Sequence, residues 1–123
     1  MSSWTPTCSS TPRSRPIRAD DFYSWGASIT GYREEGGNIA QIGPGYDERQ
    51  LNGSDRTGRV ARRNNGAFYR QSWEAAIASN NRFVAIETWN EVDEASDIAE
   101  SIEFGRQYID LTHEYARKFK SRR

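Results

Sequence analysis

Apolar and polar positions along the chain divide it into short strand-like and longer helix-like stretches. Arg82-Phe83-Val84-Ala85-Ile86-Glu87-Thr88-Trp89 is the clearest strand, a run of apolar, β-branched and aromatic residues of strand length. Period two places Glu87, Trp89 and Glu91 on one side of it and Val84, Ile86 and Thr88 on the other. Asn38-Ile39-Ala40-Gln41-Ile42 is a second short strand, opened by Gly36-Gly37 and closed by Gly43-Pro44-Gly45. Phe22 to Ala27 is a brief aromatic run compatible with the end of a strand. Between Ala67 and Ser79, Tyr69, Trp73, Ala76 and Ile77 recur at i, i+4, i+7 and i+8, which makes one apolar stripe on a helix. A last helix is expected from Ser101, a suitable N-cap, to about Lys120, with Glu103 in its first turn. Phe104, Tyr108, Leu111, Tyr115 and Phe119 form its stripe, and its basic end suits the dipole. Tyr46 to Asn65 has no sustained period and reads as a long loop, a kind that in compact domains is usually functional or disordered.

Strand, loop, helix, strand, loop, helix is the βα repeat of a parallel sheet covered by helices, so the fold class is α/β. A doubly wound open sheet and a (β/α)8 TIM barrel both satisfy the pattern. A glutamate on a strand, with further acids just past its C-terminal end, is the placement of functional residues in a barrel. Such a barrel takes roughly 250 residues, so 123 residues supply only its C-terminal βα units, a partial barrel.

Composition narrows the classes. Leu, Ile, Val and Phe together number 19, a share below that expected of a self-sufficient core, yet charge is balanced and aromatics are plentiful, which argues against wholesale disorder. Residues 1–19 differ from the rest: they are rich in Ser, Thr, Pro and Arg, and read as a linker or a non-native start joined to residues 20–123. A transit peptide is conceivable there, but three prolines oppose its helix. No apolar signal region and no run of about 20 apolar residues is present, so neither a secretory signal nor a membrane span is expected, and the compartment stays open. With one cysteine, Cys8, and one histidine, His113, there is no internal disulfide and almost no material for a zinc site or a Ser-His triad. Gly43-Pro44-Gly45 lacks the spacing and lysine of a phosphate loop. No cofactor and no metal are expected.

Chemistry concentrates in Glu87, Glu91, Asp93, Glu94 and Asp97. A carboxylate in a buried strand is costly unless it is paired or used. Two carboxyl groups of different protonation are what cleavage of a sugar–sugar bond needs, one as acid for the leaving oxygen and one as base or nucleophile. Trp89 could add a stacking surface for a sugar ring. The alternatives are a solvated loop, capping of the last helix, or pairing with Arg62, Arg63 or Arg82.

The run Ile86-Glu87-Thr88-Trp89-Asn90-Glu91-Val92-Asp93-Glu94-Ala95-Ser96-Asp97-Ile98 resembles the T-W-N-E-x-x-E-G-T-x-I signature of glycoside hydrolase family 99-like proteins, the endo-α-mannosidase-like (β/α)8 barrels. Glu103 to Thr112 is similar to the Y-G-x-x-Y-L-x-L-T helix that follows, Ile42 to Asp47 to a P-G-x-D strand end, and Gly66 to Trp73 to a G-x-x-Y-x-x-x-W helix start. Order and spacing agree from about Asp20 to Lys120. The resemblance implies that Glu91 and Glu94 are the catalytic pair: the first deprotonates the sugar 2-hydroxyl, which attacks the anomeric carbon, and the second serves as acid and then base. Retention without a covalent glycosyl-enzyme would follow, a variation on the usual scheme. The family's aromatic and His after the first glutamate are Val92 and Asp93 here, and its Gly-Thr is Ala95-Ser96. Asp93 adds negative charge between the pair.

Tyr46 and Asp47, just past a strand, could line the sugar site with Trp89 and Glu87, or serve only the turn. Tyr69 and Trp73 read as helix core, and His113 as solvated. Arg56, Arg59, Arg62 and Arg63 form a basic patch, but zero net charge and the absence of a binding motif count against nucleic acid. The expected partner is a glycan substrate, without nucleic acid or membrane, together with the missing part of the barrel. Three readings stay open: a piece of a glycosidase inactive by itself, a non-catalytic carbohydrate-binding or interaction module on a barrel scaffold, and a gene fragment without independent function.

Overall fold

A computed structural model describes residues 18–53 and 55–122. The linker or non-native start expected at residues 1–19 lies, up to residue 17, outside them. The elements in chain order are α1 (Ala27–Thr30), β1 (Ile39–Ile42), β2 (Tyr46–Asp47), β3 (Val60–Ala61), α2 (Ala67–Ala78), β4 (Phe83–Ile86) and α3 (Gln107–Lys120). β1 and β4 pair in parallel, Ile39 opposite Phe83 and Ile42 opposite Ile86, with α2 as the crossover between them. This is a mixed α/β domain with parallel strands. Among the described residues its parallel sheet has two strands.

The core lies between this sheet and the two long helices. Ala40 and Ile42 meet Tyr69, Trp73 and Ala76 of α2 and Tyr108, Leu111 and Tyr115 of α3. Both predicted stripes are therefore real, and Tyr69 and Trp73 are core residues, 0% and 2% exposed. Rings supply what few aliphatics leave open: Trp73 stacks on Tyr115 at 6.3 Å and meets Tyr69 edge-on at 6.1 Å. Burial of the Tyr69 hydroxyl pushes its titration up to about 12, against a lowering by the Thr112 hydroxyl it bonds.

Three expectations are corrected. Phe22 to Ala27 does not end a strand: the chain runs unladdered to Gly26, tied to β1 by side chains, and Ala27 opens α1. The Asp21 carboxylate accepts the Asn38 and Ile39 N–H groups at 2.8 and 2.9 Å, and the Gln41 side chain accepts the Ser24 N–H. The stretch from Tyr46 to Asn65 is not a featureless loop, because β2 and β3 pair antiparallel with Tyr46 opposite Ala61 and Asp47 opposite Val60. The last helix begins at Gln107 rather than after Ser101. Ser101 instead caps a turn, its hydroxyl accepting the Phe104 N–H, and Gly105 at φ 57° breaks the path into the helix. His113 is exposed on α3. No described helix is long and apolar enough to cross a membrane.

Candidate active site

A cleft of about 380 Å³ opens beyond the carboxyl ends of β1 and β4, where parallel α/β sheets place their ligands. The exits of the two strands touch. A Cβ on Gly43 would stand 2.6 Å from the Glu87 carbonyl oxygen and 2.7 Å from Ser28 Cα, and one on Gly45 would stand 2.8 Å from the Ala61 carbonyl oxygen. Glycine at these two positions lets the β1 exit pass between α1, the β4 exit and the β2–β3 ribbon. Turn chemistry alone does not account for Gly43 and Gly45; the tighter reason is close approach.

Glu87, the first residue past β4, is 4% exposed. Its carboxylate accepts the Gly26 N–H at 2.9 Å and the Ser28 N–H at 3.3 Å, while the Ser28 hydroxyl donates to the Glu87 carbonyl. These donors answer the cost of burying it. The peptide between Glu87 and Thr88 is cis. From there the chain leaves the strand, so period two stops at Ile86: Glu87 and Thr88 are both buried, and Trp89 and Glu91 both exposed. The loop is closed by Thr88 N–H to Ser96 O at 2.8 Å, Glu91 N–H to the Thr88 hydroxyl at 3.0 Å and Ile98 N–H to Thr88 O at 3.0 Å.

The ribbon forms the opposite wall. Glu48 is wholly buried, and both its oxygens are occupied. Arg59 grips it through Nε and Nη2 at 3.1 Å each; the backbone N–H groups of Arg59 and Thr57 and the Tyr46 hydroxyl also donate to it. The Arg59 side chain first, then its N–H, hold this carboxyl well below the usual carboxylate range against the effect of burial. Burial, then the Glu48 oxygen it donates to, pushes the Tyr46 hydroxyl up. Arg56 reaches from the ribbon tip into the cleft. Its Nη1 lies 3.1 Å from the Tyr46 hydroxyl, 3.4 Å from Glu48 Oε1 and 3.2 Å from Glu94 Oε1. The ribbon also ties the Glu94 backbone, through Asp47 N–H to Glu94 O at 2.8 Å.

Behind the carboxylate loop, buried Arg63 donates from Nη2 to Ala95 O at 3.0 Å, Asp97 O at 2.8 Å and Asp97 Oδ1 at 3.2 Å. Its guanidinium lies over the Phe104 and Tyr108 rings, 3.9 and 4.4 Å from their centroids. The pairing alternative thus holds for Asp97 with Arg63, while Glu94 pairs with Arg56, which is not among Arg62, Arg63 and Arg82; the capping alternative does not hold, since α3 starts after Arg106. The arginines read as one basic patch are dispersed: Arg56 and Arg59 go to Glu48, Arg63 to the interior.

Of the residues singled out from sequence, Glu87, Glu91, Glu94 and Tyr46 line this one cleft. Trp89 is not among the residues lining it, and Trp25, itself 67% exposed, is the indole on the cleft wall instead. Asp47 lies on the far side of the ribbon, in a second hollow with Arg49 and Arg62. Arg49, at 2.6 Å, holds its carboxyl at about 2. Glu48 and Trp25 are unmarked in the sequence, and Arg56 and Arg59 stand out there only as members of a basic patch. Recognising Tyr46-Asp47 and Val60-Ala61 as a ribbon would have found Glu48 opposite Arg59, one step beyond the Asp47–Val60 pair. Among the described residues no cluster of three or more His, Cys, Asp or Glu could hold a metal ion.

The parallel strands gather glutamates at their carboxyl edge, and the fold is similar to part of solved glycoside hydrolase structures. The chain is similar to the family 99 glycoside hydrolase endo-alpha-mannosidase from Bacteroides thetaiotaomicron, with 25% identity and a TM-score of 0.55 over 69% of this chain and 29% of that one. A structure of the same enzyme in complex with bis-tris-propane matches over 68% and 30%, with 22% identity and a TM-score of 0.57. This chain therefore spans less than a third of the length of those neighbours. No curated protein is a significant sequence match. The chain belongs to the family described as a domain of unknown function, DUF5010, whose model matches residues 2–123.

Proposed function

We propose that residues 20–123 are the C-terminal βα units of a (β/α)8 glycosidase-like barrel, with residues 1–19 as a linker or a non-native start, and that Glu91 and Glu94 carry out the chemistry on a glycan. The observation that carries this is the convergence of Glu87, Glu91 and Glu94 with Tyr46 and Trp25 on one cleft at the carboxyl edge of the parallel strands. Their oxygens are not equally free. Glu87 and Glu48 are committed to protein donors. Glu91 accepts no side-chain hydrogen bond among the described residues, and Glu94 gives only Oε1 to Arg56.

In the cycle this supports, Glu91 takes the proton of the sugar 2-hydroxyl while that oxygen bonds to the anomeric carbon. The bond to the leaving oxygen breaks, and Glu94 gives that oxygen its proton. Glu94 then takes a proton from water as the water oxygen attacks the anomeric carbon, the strained ring opens, and Glu91 returns its proton to the 2-oxygen. Trp25 offers the apolar face for a sugar ring. The substrate class is an α-mannoside by analogy with the neighbours, and the wall that completes the cleft is the rest of the barrel.

The test is release of an aryl group from an aryl α-mannoside by the chain, alone and with added barrel complement, compared with Glu91→Gln and Glu94→Gln. Loss of at least a hundredfold in either variant is expected, the scale on which general acid–base groups contribute. Hydrolysis unchanged by both substitutions would exclude the assignment.

A further inference from the structure

We propose that Arg56 is a positioning residue for Glu94, an internal counter-ion anchored from behind by the buried Glu48. The inference rests on Glu94 acting in this cleft. Arg56 is the one described side chain that bridges the ribbon's structural carboxylate and a carboxylate of the loop past β4. Its Nη1 is shared by Glu48 Oε1, Glu94 Oε1 and the Tyr46 hydroxyl, all within 3.4 Å. Glu48 does not need it, because Arg59 and two backbone N–H groups already satisfy that carboxylate. Glu94 has no other side-chain partner among the described residues. The fixed side of the bridge is therefore Glu48, and the side that gains is Glu94.

Two consequences follow for the reaction. Holding Oε1 fixes the carboxyl plane and leaves Oε2 for the leaving oxygen, the orientation proton transfer requires. The guanidinium also stabilises the carboxylate that Glu94 becomes once its proton is delivered, the same ionised form in which the free side chain pairs with Arg56. Arg56 touches neither sugar nor water in this role and acts only through Glu94. The ion pair also withholds Glu94 from outside cations, which permits a test without turnover.

Bis-tris-propane, an amine protonated in mildly acidic buffer, is titrated calorimetrically at low salt into the full chain and its variants, with folding checked by circular dichroism. R56M is expected to bind it about tenfold more tightly, since a unit charge has left the side of Glu94. R56K should restore the original affinity, and R56M/E94Q should lose the gain. R56Q, which keeps a donor for Glu48, replaces R56M if that variant fails to fold. Unchanged or unmeasurable binding by the folded variant, or a gain that survives E94Q, overturns the proposal. In the aryl mannoside assay R56M should lower kcat about tenfold with little change in KM, and R56K should recover it. If E94Q leaves hydrolysis intact, the reading of the cleft falls, while the calorimetry still decides whether Arg56 serves Glu94.

Discussion

Replacing Arg63 by methionine is the sharpest test of what holds the carboxylate loop in place. Methionine keeps an unbranched apolar stem between the Phe104 and Tyr108 rings but removes the charge and three hydrogen bonds. Those bonds go to Ala95 O, Asp97 O and Asp97 Oδ1, and the partners are themselves enclosed: Arg63 is 8% and Asp97 3% exposed. Arg63 Nε and Nη1 have no hydrogen-bond partner among the described residues, so the net worth of the pair is less than its attraction suggests. The mutational cost is nevertheless large, because Asp97 is left buried and uncompensated. Breaking a buried pair from one side costs about 3–5 kcal/mol, and a desolvated cation–π stack of about 2 kcal/mol is contained within that figure. With a urea slope of about 1–3 kcal/mol per molar for a small domain, the midpoint should fall by roughly 2 M. Far-ultraviolet circular dichroism against urea measures it. R63M/D97N should recover roughly half of the loss, since asparagine removes the stranded charge. A fall of less than about 0.3 M for R63M, or a double variant no better than the single, would refute the reasoning.

Four further outcomes are expected. Trp73→Ala empties the centre of the aromatic core and should cost about 3–5 kcal/mol in the same urea experiment. Tyr69 titrates at about 12 when folded against 10.0 normally, so its contribution of roughly 2–3 kcal/mol is complete below pH 10, declines as pH rises towards 12, and should be absent from the alkaline unfolding curve of Tyr69→Phe. Asp47, lowered from 3.8 to about 2 by Arg49, stabilises above pH 4 and loses its effect as pH falls towards 2; in Asp47→Asn that part of the acid unfolding curve should flatten. Phe83 stands 55% exposed on a strand that among the described residues is paired on one side only, so Phe83→Lys should lower any self-association seen in sedimentation without a matching loss of stability.

Helices α2 and α3 were legible because each buries a stripe whose period is written directly in residue order, and β1 and β4 because each is a short apolar run of strand length. What escaped was decided by partners distant in sequence. Glu48 looks like one acid of a polar loop until the ribbon brings Arg59 opposite it. Trp89 looks like a strand residue beside two glutamates, but the chain abandons the strand after Ile86, and its ring turns out to solvent. Trp25 reaches the cleft through the α1 turn, whose anchor is the Glu87 carboxylate 61 residues away. Glu87, Glu91 and Glu94 could be grouped from sequence because they sit on one short loop. Which of their oxygens are occupied could not, since the donors come from α1 and the ribbon tip.

That occupancy separates carboxylates committed to the fold from carboxylates with oxygens to spare. A buried carboxylate whose oxygens are filled by fixed donors stabilises the fold and has nothing left with which to exchange a proton; Glu87 and Glu48 are of this kind, one bound by the N–H groups of Gly26 and Ser28, the other by Arg59, Tyr46 and Thr57. Glu87 begins the strand exit, and Glu48 stiffens the wall across from it. Glu91 and Glu94 stand between these two anchors, exposed enough to meet a ligand and with oxygens still available. Burying four carboxylates around one cleft would be prohibitive if all were alike. Two of them are instead compensated internally, and the rigidity they confer holds the remaining pair at the carboxyl edge of the parallel strands. Fixing the supporting groups so that the reacting ones need not reorganise is the condition for electrostatic catalysis, and under the proposed function Glu87 and Glu48 would meet it for Glu91 and Glu94.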